Sequence, residues 1–98
     1  MAERSLQITE TALDNLYLIN SYIFQRWGEQ GLRNFLRRFE EVKTFIKESP
    51  EACQLFEHSK DTYKTLIHHR TIVLFKFDPK TVTIVGLYDA RVDLRNRP

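Results

Sequence analysis

The stretch LFKFDPKTVTIVGLYDAR, residues 74–91, decides the fold. Two β-rich apolar runs, TIVLFKF (71–77) and VTIVGLY (82–88), flank Asp78-Pro79-Lys80-Thr81. Asp suits the first position of a tight turn, and Pro, with φ already fixed, suits the second. Strands joined by so short a connection pair antiparallel. Upstream, Tyr63, Thr65 and Ile67 alternate with Lys64, Leu66 and His68, which adds a third strand and makes a meander. The last strand runs into LYDARVDLR (87–95), where Tyr88, Asp89, Arg91, Asp93 and Arg95 crowd together. Such an end is an active site, a partner-docking edge or a solvated terminus.

Working back, residues 5–8 form a short first strand with Leu6 and Ile8 two apart. Thr9 offers a hydroxyl to cap a helix that starts at Glu10, with Glu10 and Asp14 near its positive end. Leu13, Leu16, Tyr17, Asn20, Ile23, Phe24 and Trp27 then follow the three-and-four spacing of one helical face. Gly28 is a natural stop. A second stripe follows in Leu32, Phe35, Leu36, Phe39, Val42 and Ile46, with Arg33, Arg37, Glu40, Lys43 and Lys47 mostly away from it. Pro50 closes this helix. The short joint at Gly28 makes the two helices antiparallel neighbours. The expected architecture is therefore α+β: a strand, a helical hairpin, then a three-stranded antiparallel meander, with the helices on one face of the sheet. The open face is expected to carry the cations and, with the end of the last strand, the site.

Ninety-eight residues, 42% of them hydrophobic, make one domain spanning 1–98 with a core of its own. No apolar run reaches the ~18 residues that cross a bilayer, and MAERSLQITE has no apolar signal region, so no membrane partner is expected. A single cysteine, Cys53, fits a reducing cytoplasm and reads as a small packing residue. Net charge is +2, unevenly spread. Residues 1–57 hold seven Lys and Arg against nine Asp and Glu, and residues 58–98 hold eight against four. A basic second half suggests a face that meets an anion, nucleic acid or an acidic partner; ordinary solubilising charge is the bland alternative. His68-His69 lacks a carboxylate at ligand spacing and His58 is ten residues away, so a metal hydrolase has little support. Gly28, Gly31 and Gly86 are too scattered for a phosphate loop. Glu40 and Glu41 interrupt the basic surface that a DNA-reading helix would need. No cofactor is expected.

The chain resembles the RelE/ParE superfamily of toxins from bacterial toxin–antitoxin pairs. The residues that carry the resemblance are the alternating first strand; Ala12, Leu16, Ile19, Tyr22 and Ile23; the Trp27-Gly28 joint; the Phe35–Phe39 stripe; and Pro50. The hairpin completes it, with Phe75 at the usual Tyr position, Ile84 and Leu87 at apolar ones, and Arg91 and Asp93 as the final pair. The resemblance implies a type II toxin held by a cognate antitoxin in an oligomeric complex. RelE-like members cut mRNA on the ribosome, and ParE-like members poison DNA gyrase.

Cleaving RNA without metal takes a base, an acid and cations on the phosphate. The candidates are His68 or His69 as base or acid, Tyr88 as acid, and Arg70, Lys76 and Arg91 as phosphate clamps. Each has a plainer reading. The histidines suit an exposed turn, Tyr88 alternates with Val82 and Ile84 as a half-buried strand-end aromatic, Lys76 suits a sheet edge, and Arg91 suits a surface bridge to Asp89 or Asp93. Ribonuclease members often carry His where this chain has Asp89, which would repel a phosphate unless paired with Arg91. Arg70 stands five residues before Phe75 where about three is usual. The reading leans away from an enzyme and toward gyrase. Partner contacts are expected at Leu16, Tyr17, Phe24, Trp27 and Arg91.

Overall fold

The computed structural model describes residues 4–92. Strand β1, Ser5–Ile8, stops where the Thr9 hydroxyl accepts the Ala12 N–H at 3.1 Å, so the side chain expected to cap the helix does so. Helix α1, Glu10–Glu48, is broken once, at Gly28, where φ is 73° and ψ is −165°. Only glycine enters that region readily. A straight helix of 39 residues would be ~58 Å long, yet the molecule's longest extent is 40 Å. The chain therefore folds back on itself at Gly28, giving the expected two arms, 10–27 and 29–48. Gly31 lets them close: a Cβ there would lie 2.5 Å from the Trp27 Cβ.

A 3-10 turn, Pro50–Ala52, ends the helical part and leads to β2, Gln54–Leu55, a strand too short to be read from the sequence. Then come β3, Tyr63–Ile67, β4, Thr71–Phe77, and β5, Thr81–Asp89. The sheet order is β1-β5-β4-β3-β2; β1 pairs parallel to β5 and every other pair is antiparallel. The Asp78 carboxylate accepts the N–H groups of Lys80 and Thr81 at 2.8 and 2.9 Å, which fixes the β4–β5 turn.

Both helical arms cover one sheet face. Ala12, Ile19 and Ile23 from the first arm and Phe35, Phe39, Val42 and Ile46 from the second meet Ile67, Val73, Phe75, Val82, Ile84 and Leu87. The first arm has a second apolar stripe that the core does not use. Leu13, Tyr17, Phe24 and Trp27 face outward, while the buried positions are Ala12, Ile19 and Ile23, with Leu16 and Tyr22 partly buried beside them. One broad stripe in sequence is thus two faces in space, because every position among 12–27 that is not polar was available to either.

A β-bulge redirects the end of β5. Phe75 pairs with Ile84 but Leu74 pairs with Gly86, so Val85 is an extra residue. Its surroundings are built for it: the Thr9 N–H donates to the Ile84 carbonyl at 3.0 Å, the Thr9 hydroxyl lies 3.4 Å from the Val85 carbonyl, and the Leu87 N–H donates to Asn15 Oδ1 at 3.2 Å. Past the bulge the alternation inverts. Leu87 and Asp89 turn toward the helices, and Tyr88 turns out.

Candidate functional site

The inverted alternation buries a charge. Asp89 has no exposed surface. Its Oδ1 accepts the Arg91 N–H at 2.8 Å and Nε at 2.9 Å, and its Oδ2 accepts Arg91 Nη2 at 2.7 Å and the Thr71 hydroxyl at 2.6 Å. Thr71 is directly opposite Asp89 in the sheet register and is equally buried. Burial pushes the Asp89 carboxyl up, but the bonds from Arg91 and Thr71 outweigh it and hold the group below the usual carboxylate range. Arg91 is raised in turn, chiefly by its bond to Asp89. The bridge is a two-pronged pair to a sealed carboxylate, far from the exposed contact expected of this end.

Arg91 continues onto aromatic rings. Its guanidinium lies 5.3 Å from the Trp27 ring centre and 5.6 Å from that of Tyr22, and the two rings meet edge to face at 6.1 Å. Arg91 is therefore on the helix side of the sheet, under the hairpin bend. Among the described residues, the expectation that the open face carries the cations holds for Lys64 and Lys76, each ion-paired, to Glu57 at 2.9 Å and Asp61 at 3.5 Å, and not for Arg91. The bulge is the physical reason: it reverses which face the strand end presents. Asp93, named with Arg91 as the final pair, and Arg95 lie outside the described residues.

Beside Arg91 is a pocket of about 250 Å³ lined by Ile23, Trp27, Gly31, Asn34, Phe35, His68 and Arg91. His68 reaches it because the β3–β4 turn puts that residue at φ 57°, with its ring 6.4 Å from that of Phe35. The turn abuts the strand end, where the Ala90 N–H points at the Arg70 carbonyl at 3.4 Å. Arg70 Nε donates to His69 Nε2 at 3.4 Å, and both side chains are exposed.

The remaining candidates scatter. Tyr88 stands on the outer face beside Ile72, 53% exposed, so it is not the half-buried aromatic that simple alternation gives. Lys76 is on an interior strand, not a sheet edge, and lies about 17 Å along β4 from the Arg91 end. Of the expected partner contacts, Tyr17, Phe24 and Trp27 are more than half exposed and Leu16 packs against the core.

Sequence reasoning missed a second concavity. Among the described residues β2 pairs with Tyr63 and Lys64 alone, leaving the rest of β3 an edge without a strand partner. A groove of about 420 Å³ follows that edge, lined by Phe45, Ala52, Cys53, Gln54, Lys64, Thr65, Leu66 and Ile72. Burial raises the Cys53 thiol, the direction opposite to that of a reactive cysteine. No described helix is long and apolar enough to cross a membrane.

No protein-family model and no curated protein sequence matches the chain. Solved structures do. The chromosomal ParDE TA system from P. aeruginosa aligns at TM-score 0.72 and 15% identity, over 89% of this chain and 96% of that one. The E. coli DinJ-YafQ toxin-antitoxin complex aligns at 0.65 and 8%, over 92% and 96%. The toxin-antitoxin complex RelBE2 from Mycobacterium tuberculosis aligns at 0.57 and 16%, over 90% and 99%. The chain has the fold of the RelE/ParE-superfamily toxins.

Proposed function

We propose that this protein is the toxin of a type II toxin–antitoxin pair, acting in the cytoplasm on DNA gyrase and neutralised by a cognate antitoxin. The fold shared with the ParDE, DinJ-YafQ and RelBE2 systems supports the pairing. The row of Leu13, Tyr17, Phe24 and Trp27 on the outside of the hairpin gives an antitoxin helix an apolar face to cover, and the open β3 edge gives an extended segment a place to pair.

One observation carries the choice of gyrase over mRNA. The strand-end position that would have to serve RNA cleavage is Asp89, and both of its oxygens are spent on Arg91 and Thr71. A carboxylate held ionised and out of solvent neither delivers a proton to a leaving group nor approaches a phosphate. Tyr88 is on the opposite face from Arg91, and Lys76 is at the other end of the sheet, so neither converges with Arg91.

Expression of the gene alone should arrest growth, and the small acidic reading frame beside it should restore growth. Purified protein mixed with gyrase and supercoiled plasmid should accumulate cleaved DNA. The opposing reading is a ribosome-dependent endoribonuclease built on the His68-His69-Arg70 turn and Arg91. Cleaved mRNA on translating ribosomes, with gyrase unaffected, would establish that reading and end this one.

A further inference from the structure

We propose that the pocket under the hairpin bend is an anchor site for one apolar side chain of a partner protein that has Asp or Glu as its sequence neighbours. The inference rests on the pocket's own geometry and does not depend on the toxin reading.

The volume comes first. About 250 Å³ is below the ~300–1,000 Å³ of small-molecule sites and is matched to a single large side chain. The floor is Ile23 and Phe35, both in the core, and Trp27 is an exposed aromatic wall. A deep apolar floor beside an exposed aromatic is how interface hot spots are built. The rim is polar: Arg91, His68 and Asn34.

Charge settles the flanks. Of the five guanidinium N–H groups of Arg91, Asp89 takes one on Nε and one on Nη2. No hydrogen bond to Nη1 is made from the described residues, and a fifth of the Arg91 side-chain surface is exposed. Arg26 also lies near Trp27, 5.9 Å from the ring centre, so two guanidinium groups stand against the aromatic wall. Among the described residues the carboxylate bonded to the lining is Asp89, buried and with both oxygens bonded, and Glu29 at the bend is bridged to Arg33 at 3.0 Å. An incoming carboxylate meets cation and imidazole at the rim. An incoming ammonium meets the same groups and gains nothing.

Trp27 is the chain's one tryptophan, so its fluorescence reports occupancy directly. The probes are three blocked pentapeptides, Ac-Ala-Glu-Phe-Glu-Ala-amide, its Gln-Phe-Gln counterpart, and its Glu-Ala-Glu counterpart. The first should shift Trp27 emission saturably and bind at least tenfold more tightly than either control, with affinity falling as salt rises. Asn34→Asp tests the rim. Asn34 is exposed, and its Oδ1 accepts Gln30 at 3.0 Å and Arg37 at 3.3 Å, bonds that an Asp can also accept. This variant should melt like the parent protein and bind the acidic peptide at least fivefold more weakly. Equal binding of the Glu and Gln peptides, no saturable change with the first peptide, or undiminished binding to Asn34→Asp would each overturn the proposal. None of these readouts involves gyrase, ribosomes or growth, so the anchor site and the toxin reading can fail separately.

Discussion

Consider Arg91→Ala. The substitution leaves Asp89, which has no exposed surface in the parent, with two of its four hydrogen bonds, from Thr71 and from the residue 91 N–H. Breaking a buried pair by removing one partner costs about 3–5 kcal/mol, and the two surviving bonds place this case near 3. Asp89→Asn is the milder change. Arg91 keeps a fifth of its side-chain surface in solvent and can turn toward water, so the loss should be about 1–2 kcal/mol. The double variant should lose about 1–2 kcal/mol less than the sum of the two. Near 3 kcal/mol also means a melting point lower by roughly 15 °C for a domain this size. The pH dependence has a definite sign. In the parent the Asp89 pKa is depressed, so the pair's contribution is complete above the unfolded value near ~3.9 and is lost as pH falls through the folded one. In Arg91→Ala burial acts with no guanidinium to oppose it, the pKa rises, and the penalty shrinks on acidification. Urea unfolding at pH 7.5 and 4.5 should show the gap to the parent narrowing by about 1 kcal/mol or more. A gap equal at both pH values, or Asp89→Asn costing as much as Arg91→Ala with additive effects, would refute the account of a sealed, guanidinium-held carboxylate.

Other substitutions test the scaffold. Gly28→Ala places its Cβ in open space yet should cost about 1–3 kcal/mol in urea unfolding, because the backbone conformation itself excludes it. Thr9→Ala removes the helix cap and the contact with the bulge carbonyl, and should cost about 1–2 kcal/mol by the same measurement. Tyr17→Glu combined with Phe24→Glu alters only exposed positions, so stability should stay within about 0.5 kcal/mol, while rescue by the antitoxin in a growth assay should be lost.

Local signals made the elements legible. Thr9 caps, Gly28 bends, Asp78 and Pro79 turn, and a β-rich apolar run over 71–77 marks a strand; each acts through its immediate neighbours, and each is where the sequence put it. The candidate site was less legible because one residue of bulge decides it. Val82 and Ile84 extrapolate to an inward Tyr88, but Val85 shifts the count, and its support comes from Thr9 and Asn15, some seventy residues away in the chain. The two apolar stripes of the first arm posed a similar difficulty. Spacing marks apolar helical positions, but only the packed sheet shows that Ala12 and Ile19 are inside and Tyr17 and Phe24 outside. β2 has two residues, too few for any periodic signal.

The parallel pairing of β1 with β5 has a kinetic corollary. β5 is bonded to β1 on one side and β4 on the other, and the Ser5 N–H donates to the Lys80 carbonyl across seventy-five positions of chain. During synthesis β1 waits without its neighbour until residues 81–89 have been made, and closure of so long a loop slows the final collapse. A polypeptide released early, short of residue 81, would present two unsatisfied strand edges at once and should be removed by proteolysis or aggregate rather than accumulate as a shortened active form.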